Sequence, residues 1–204
     1  MKAVMISIKP KWVEKIASGE KTIEVRKSAP KEVPFKAYIY CCKAKPYLYK
    51  EANPPFELFL DSELYKGNGY DDRLFSGKVI GEFICDRIEM VNAKCSDYGI
   101  DLFYHDCLTN GCLTEREIEK YFNVPEDRDL RAMKGNGYVW NISDLKIYDK
   151  PRELSEFSRP CSYSGLCFSC KRTSFKKDGN LLCNTKITRP PQSWMHVEDL
   201  GEEK

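Results

Sequence analysis

The run from Pro10 to Arg26 constrains the fold most, because it holds a helix, a stop signal and the start of a strand with almost nothing between them. Val13, Ile16 and Ala17 recur at helical spacing, Pro10 suits the first turn, and Gly19 follows where the helix must end. From Thr22 the period changes. Ile23 and Val25 alternate with Thr22, Glu24 and Arg26, so an extended chain sets the polar three on one face, with Lys21 at the entrance. A lysine, a glutamate and an arginine grouped at one turn are the makings of a polar site. The competing reading is a surface ion pair between Glu24 and Arg26, worth about 0.2–1 kcal/mol.

Further along, the aromatic and β-branched stretch from Pro34 to Cys42 reads as a strand. Lys43 to Asp72 reads as a long irregular excursion or lid. Gly77 to Val91 is long enough for one bent central strand with Gly81 as its bulge, and Gly137 to Tyr148 alternates as another. Between them Thr114-x-x-Glu117 is a capping box that predicts a helix ending before Pro125. Pro151 to Phe157 reads as a short helix and Pro190 to Glu198 as a closing strand. The pentapeptide Lys-Gly-Asn-Gly-Tyr occurs at 66–70 and 134–138, where Asn-Gly predicts tight turns. Strand and helix signals both occur, the expected fold class is α+β, and 204 residues suffice for one main domain with an insertion. Residues 1–158 and 187–198 form that domain, 159–186 a Cys-rich insertion, and 199–204 a flexible tail. No apolar run reaches 18 residues, and the N-terminal apolar stretch breaks too early for a secretory segment, so the expected protein is soluble, cytoplasmic and without a membrane partner.

A net charge of +2 conceals strong local asymmetry. Residues 1–50 carry a net +8, 51–158 a net −9, 159–189 a net +6 and 190–204 a net −3. Two basic segments on one surface would attract an anion, of which RNA or a nucleotide is the natural class. Solvated lysines on outer faces are the plainer reading.

Cys161, Cys167, Cys170 and Cys183 are spaced C-x5-C-x2-C-x12-C, and the central C-x2-C is the turn by which two thiolates grip one tetrahedral ion. They are candidate ligands of a structural Zn2+; the alternative is four reduced thiols. Cys95, His105, Cys107 and Cys112 form a second, weaker cluster, while Cys41, Cys42 and Cys85 lie in apolar runs and read as core. A hydrolytic site needs a nucleophile beside a base, and the opening turn offers Thr22 beside Lys21. Trp12 and Trp194 are candidate stacking platforms for a base.

Ser7-Ile8-Lys9-Pro10, a helix, and then Gly19-Glu20-Lys21-Thr22-Ile23-Glu24-Val25-Arg26 resemble the ASCH domain, whose signature is Gly-x-Lys-x-x-Glu-x-Arg. Trp140 to Pro151 and Pro190 to Trp194 look like a bacterial and phage branch of that group. The resemblance implies a PUA-like mixed β-barrel with flanking helices, and a cleft for RNA or a nucleotide lined by Lys21, Glu24 and Arg26 with Lys9 entering from the helix start. One branch of the superfamily resembles an amidohydrolase acting on N4-acetylcytidine through a lysine and a threonine. Lys21 matches the lysine, but the threonine position is Glu24 here. Three readings follow: an RNA- or nucleotide-binding domain, a hydrolase of a modified nucleoside in which Lys21 is catalytic, and a zinc-stapled interaction module.

Overall fold

The structure is a computed structural model that describes residues 1–53, 57–67, 69–124, 130–161, 173–175, 181–183 and 185–201. In chain order the elements are β1 (Ala3–Ile8), α1 (Pro10–Ala17), β2 (Ile23–Arg26), β3 (Phe35–Cys41), β4 (Tyr47–Lys50), β5 (Leu58–Asp61), α2 (Tyr70–Arg73), β6 (Val79–Cys85), β7 (Ile88–Asn92), α3 (Asp97–Leu108), α4 (Glu115–Phe122), β8 (Asn136–Asn141), β9 (Ser143–Arg152), β10 (Thr173–Phe175), β11 (Leu181–Cys183) and β12 (Trp194–Val197).

A five-stranded sheet runs in the order β12-β1-β3-β6-β9, with β1 and β3 parallel and the other neighbours antiparallel. Parallel pairing needs a crossover, and α1 with β2 supplies it. The sheet's strands β1 and β3 are buried on both faces. Val4, Ile6 and Ile8 of β1 pack toward α1, Phe83 and Trp140, while Ala3 and Met5 pack toward Phe157 and Val197 on the other side. A second, antiparallel sheet, β2-β8-β7, is covered by Ile100, Phe103 and Cys107 of α3 and Ile118 and Phe122 of α4.

Each of the two long strands expected from sequence proves to be two strands. The Gly77–Val91 run passes from the large sheet into the small one between Cys85 and Ile88, and the Gly137–Tyr148 run passes back between Asn141 and Ser143, with Asp144 at a φ of 47°. Gly81 is the expected irregularity: a Cβ there would lie 2.5 Å from the Lys146 carbonyl oxygen, so only glycine allows β9 to approach. These corners are those of a barrel, but no closed barrel forms among the described residues. The edge strands of the two sheets, β12 and β9 in one and β2 and β7 in the other, do not pair with one another.

The described residues between 43 and 72 hold more regular structure than expected. They contain the β4–β5 hairpin and the start of α2, and Leu48 and Tyr49 are fully buried. The expected helix at 151–157 is the end of β9 followed by a 3-10 turn at Leu154–Glu156. The capping box at Thr114 forms, and Asn123 in left-handed conformation ends α4. The closing strand β12 pairs with β1 as its alternation predicted. In the expected tail, Asp199 accepts a hydrogen bond from the Tyr38 hydroxyl at 2.7 Å and pairs with the buried Lys36 ammonium at 3.1 Å. Among the described residues no helix is long and apolar enough to cross a membrane.

Candidate functional site

Two local rules bring Lys21, Glu24 and Arg26 together. Gly19, at a φ of 81°, lets the chain reverse after α1, and the Lys21 amide closes the turn on the Lys15 carbonyl at 2.9 Å. Lys21 therefore precedes the strand and is not bound by its alternation. Glu24 and Arg26, two apart in β2, share a face by period two. All three are buried, at 2%, 6% and 8% exposure.

Arg26 Nη2 lies 2.9 Å from Glu24 Oε1 and also donates to the Ser7 carbonyl at 2.7 Å. Lys21 Nζ donates to the Gly111 carbonyl at 2.7 Å, and stands 3.6 Å from Glu24 Oε2. That separation is an ion pair but too long for a hydrogen bond. Glu24 Oε2 and Arg26 Nε thus remain buried acceptor and donor without hydrogen-bond partners. Unmet groups of this kind are costly in a fold and common where a ligand is met.

The triad lines a cavity of about 650 Å³ between the end of β1, α1, β2 and α4. Six cations line it, Lys9, Lys11, Lys21, Arg26, Lys27 and Lys120, against two carboxylates, Glu24 and Glu117. The cavity wall is strongly electropositive. Lys11 forms an ion pair with Glu117, tying α1 to α4, and its ammonium sits 4.0 Å from the centre of the Trp12 ring, with Lys21 Nζ at 5.5 Å. Burial works to raise the Glu117 carboxyl, and hydrogen bonds from Lys11 and Thr114 overcome it and hold the group below its usual range. Burial raises the Cys42 thiol, tempered by the charges of Arg26 and Lys9. It likewise raises the Tyr121 hydroxyl, tempered by Arg26.

Of the residues singled out in sequence, Lys9, Trp12, Lys21, Glu24 and Arg26 line this one cavity. Trp194 does not: its indole Nε1 donates to the Ser28 hydroxyl at 3.0 Å and its ring meets Trp140 edge-on at 5.9 Å. Thr22 is exposed and is not among the lining residues. The contributions of α4, Glu117, Lys120 and Tyr121, escaped notice, although the capping box fixed the helix and their i, i+3, i+4 spacing fixes one face.

Cys167 and Cys170 lie outside the described residues. Cys161 is exposed, and Cys183 ends β11. Among the described residues no cluster of three or more metal-ligating side chains occurs. This disposes of the second cluster. Cys107 is buried on the inner face of α3, His105 is exposed, and the Cys112 thiol contacts the Glu20 carbonyl at 3.3 Å. Cys41 and Cys85 are core, with thiols pushed up to about 12 by burial, whereas Cys42 is partly exposed at the cavity.

No family model matches the sequence, and no curated protein matches it. Among solved structures the chain is similar to ASCH from Zymomonas mobilis, at 15% identity over 97% of this chain and 88% of that chain, with a TM-score of 0.51. It is equally similar to a serine-to-alanine mutant of ASCH from that organism, at 14% identity over 97% and 89%, with a TM-score of 0.52. At such identity the likeness establishes the fold, and the chain has the fold of an ASCH domain.

Proposed function

We propose that the protein binds RNA or a nucleotide in the cavity between α1, β2 and α4. The observation that carries this reading is the pairing of an electropositive wall with a buried carboxylate and guanidinium that each keep an unmet polar atom. A nucleotide offers what such a wall lacks: phosphate for the cations, and base edges carrying donors and acceptors together. In this reading Lys21, Glu24 and Arg26 read the base, and Lys9 meets phosphate. Trp12, half exposed on α1 at the cavity wall, stacks the base. The ASCH fold and the signature residues around Gly19 agree with it.

The test is titration of a short single-stranded RNA and of single nucleotides against native protein, Trp12→Ala and Glu24→Gln at low salt. Native protein is expected to bind, and loss of one stacking platform is expected to cost about 1–3 kcal/mol. Absence of binding by every nucleotide and RNA overturns the proposal. Turnover of an N4-acetylated cytidine that Lys21→Met abolishes replaces it with the amidohydrolase reading. The threonine position of that chemistry is Glu24 in this chain, and the neighbouring Thr22 is not at the cavity wall.

The spacing of Cys161, Cys167, Cys170 and Cys183 carries a separate proposal, a structural Zn2+ that staples the basic segment. Purified protein is expected to hold near-stoichiometric zinc, and metal analysis that finds none overturns it.

A further inference from the structure

The six cations of the cavity divide into two kinds. Lys21 and Arg26 are buried and paired with Glu24, and Lys11 is paired with Glu117. Lys9, Lys27 and Lys120 are exposed and form no ion pair among the described residues. Their placement along the wall follows from the elements that carry them. Lys9 is the N-cap residue of α1, Lys27 directly follows β2 with its Nζ 5.1 Å from the centre of the Tyr121 ring of α4, and all line the same cavity. Lys120 adjoins Tyr121 on α4. Lys9 therefore stands at the α1 part of the cavity wall, and Lys27 with Lys120 at the α4 part.

We propose that Lys9, Lys27 and Lys120 form a track for successive backbone phosphates of a single strand of RNA, while the Lys21–Glu24–Arg26 triad engages one base between them. This rests on the nucleotide-binding reading above and deepens it. The two buried cations share the charge of Glu24 and spend donors on backbone carbonyls, whereas an exposed unpaired ammonium releases counterions when a phosphate replaces them. A single phosphate cannot occupy both parts of the wall. A strand can, because its phosphates recur on either side of each base.

The experiment compares native protein with the triple variant Lys9→Gln, Lys27→Gln, Lys120→Gln, and with Lys94→Gln as a control away from the cavity. Each is titrated with a single-stranded RNA hexamer at several salt concentrations and with the four uncharged nucleosides. The hexamer is expected to show a salt slope steeper by about 2 in the native protein than in the triple variant, at ~0.7 per phosphate contact. Between 50 and 200 mM salt the native protein then loses about fifteenfold more affinity than the variant. Nucleoside affinity is expected to be unchanged by the triple substitution, which also reports that the variant is folded. An unchanged salt slope in the triple variant, with nucleosides still bound, overturns the track and leaves the nucleotide-binding reading standing. Binding of neither hexamer nor nucleoside by the native protein overturns both.

Discussion

Glu24 sits between two buried cations, and the three charges are not interchangeable. Replacing Lys21 leaves a neutral carboxylate–guanidinium pair and takes one donor from the Gly111 carbonyl. Replacing Glu24 by alanine leaves two cations buried together with no counter-charge, a loss on the order of 3–5 kcal/mol. Glu24→Ala is therefore expected to destabilise the fold more than Lys21→Met, and Glu24→Gln, which keeps an acceptor for Arg26, less than Glu24→Ala. Urea unfolding of the three variants checks the order. A larger loss for Lys21→Met than for Glu24→Ala would show that Glu24 is not what holds the cations. The same charges explain why sequence could mark these residues but not their state. Period two places Glu24 beside Arg26 whether they face water or a cavity, and only the packing of α1 and α4 buries them.

Among the elements, the segment after β12 does more than end the chain. Asp199 takes the Tyr38 hydroxyl and the Lys36 ammonium, the Leu200 amide donates to the Tyr38 oxygen at 2.9 Å, and Lys36 also pairs with Glu82 at 3.5 Å. β3 and β6 thereby hold the C-terminal segment. Burial works to raise the Asp199 carboxyl, but the hydrogen bonds from Tyr38 and Lys36 prevail and hold it below its ordinary value. A carboxylate with a depressed folded pKa stabilises above its unfolded pKa, and that contribution is lost as pH falls through the folded value. Burial, with the Asp199 hydrogen bond, raises the Tyr38 hydroxyl, so its contribution is present at neutral pH and lost in strong alkali. Thermal unfolding of Asp199→Asn is expected to show lower stability than native at pH 7 and a difference that narrows below about pH 4. A difference that does not change between pH 7 and pH 3 would remove Asp199 from the acid transition. The expectation of a flexible tail from residue 199 could not anticipate this, because a sequence does not show the buried Lys36 that Asp199 meets.

Across the whole molecule, what sequence revealed and what it hid divide by range. Local rules carried α1 with its glycine stop, the capping box of α4, the Gly81 irregularity and the edge strand β12. They failed where a strand changes partners. Nothing in an alternating run such as Gly137 to Tyr148 announces that its halves belong to different sheets, because side-chain alternation is the same in both. The closed barrel was lost for the same reason, since edge occupancy is a property of the assembled sheet. The site was legible where it is contiguous, from Lys9 to Arg26, and not where α4 reaches across. The open seam between β1 and β2 has a mechanical meaning. The cavity walls meet through side chains, Arg26 of β2 on the Ser7 carbonyl of β1 and Lys11 of α1 on Glu117 of α4, and not through a backbone ladder. Rotamer changes alone can part these side-chain contacts, so the cavity wall can widen while every sheet hydrogen bond stays closed.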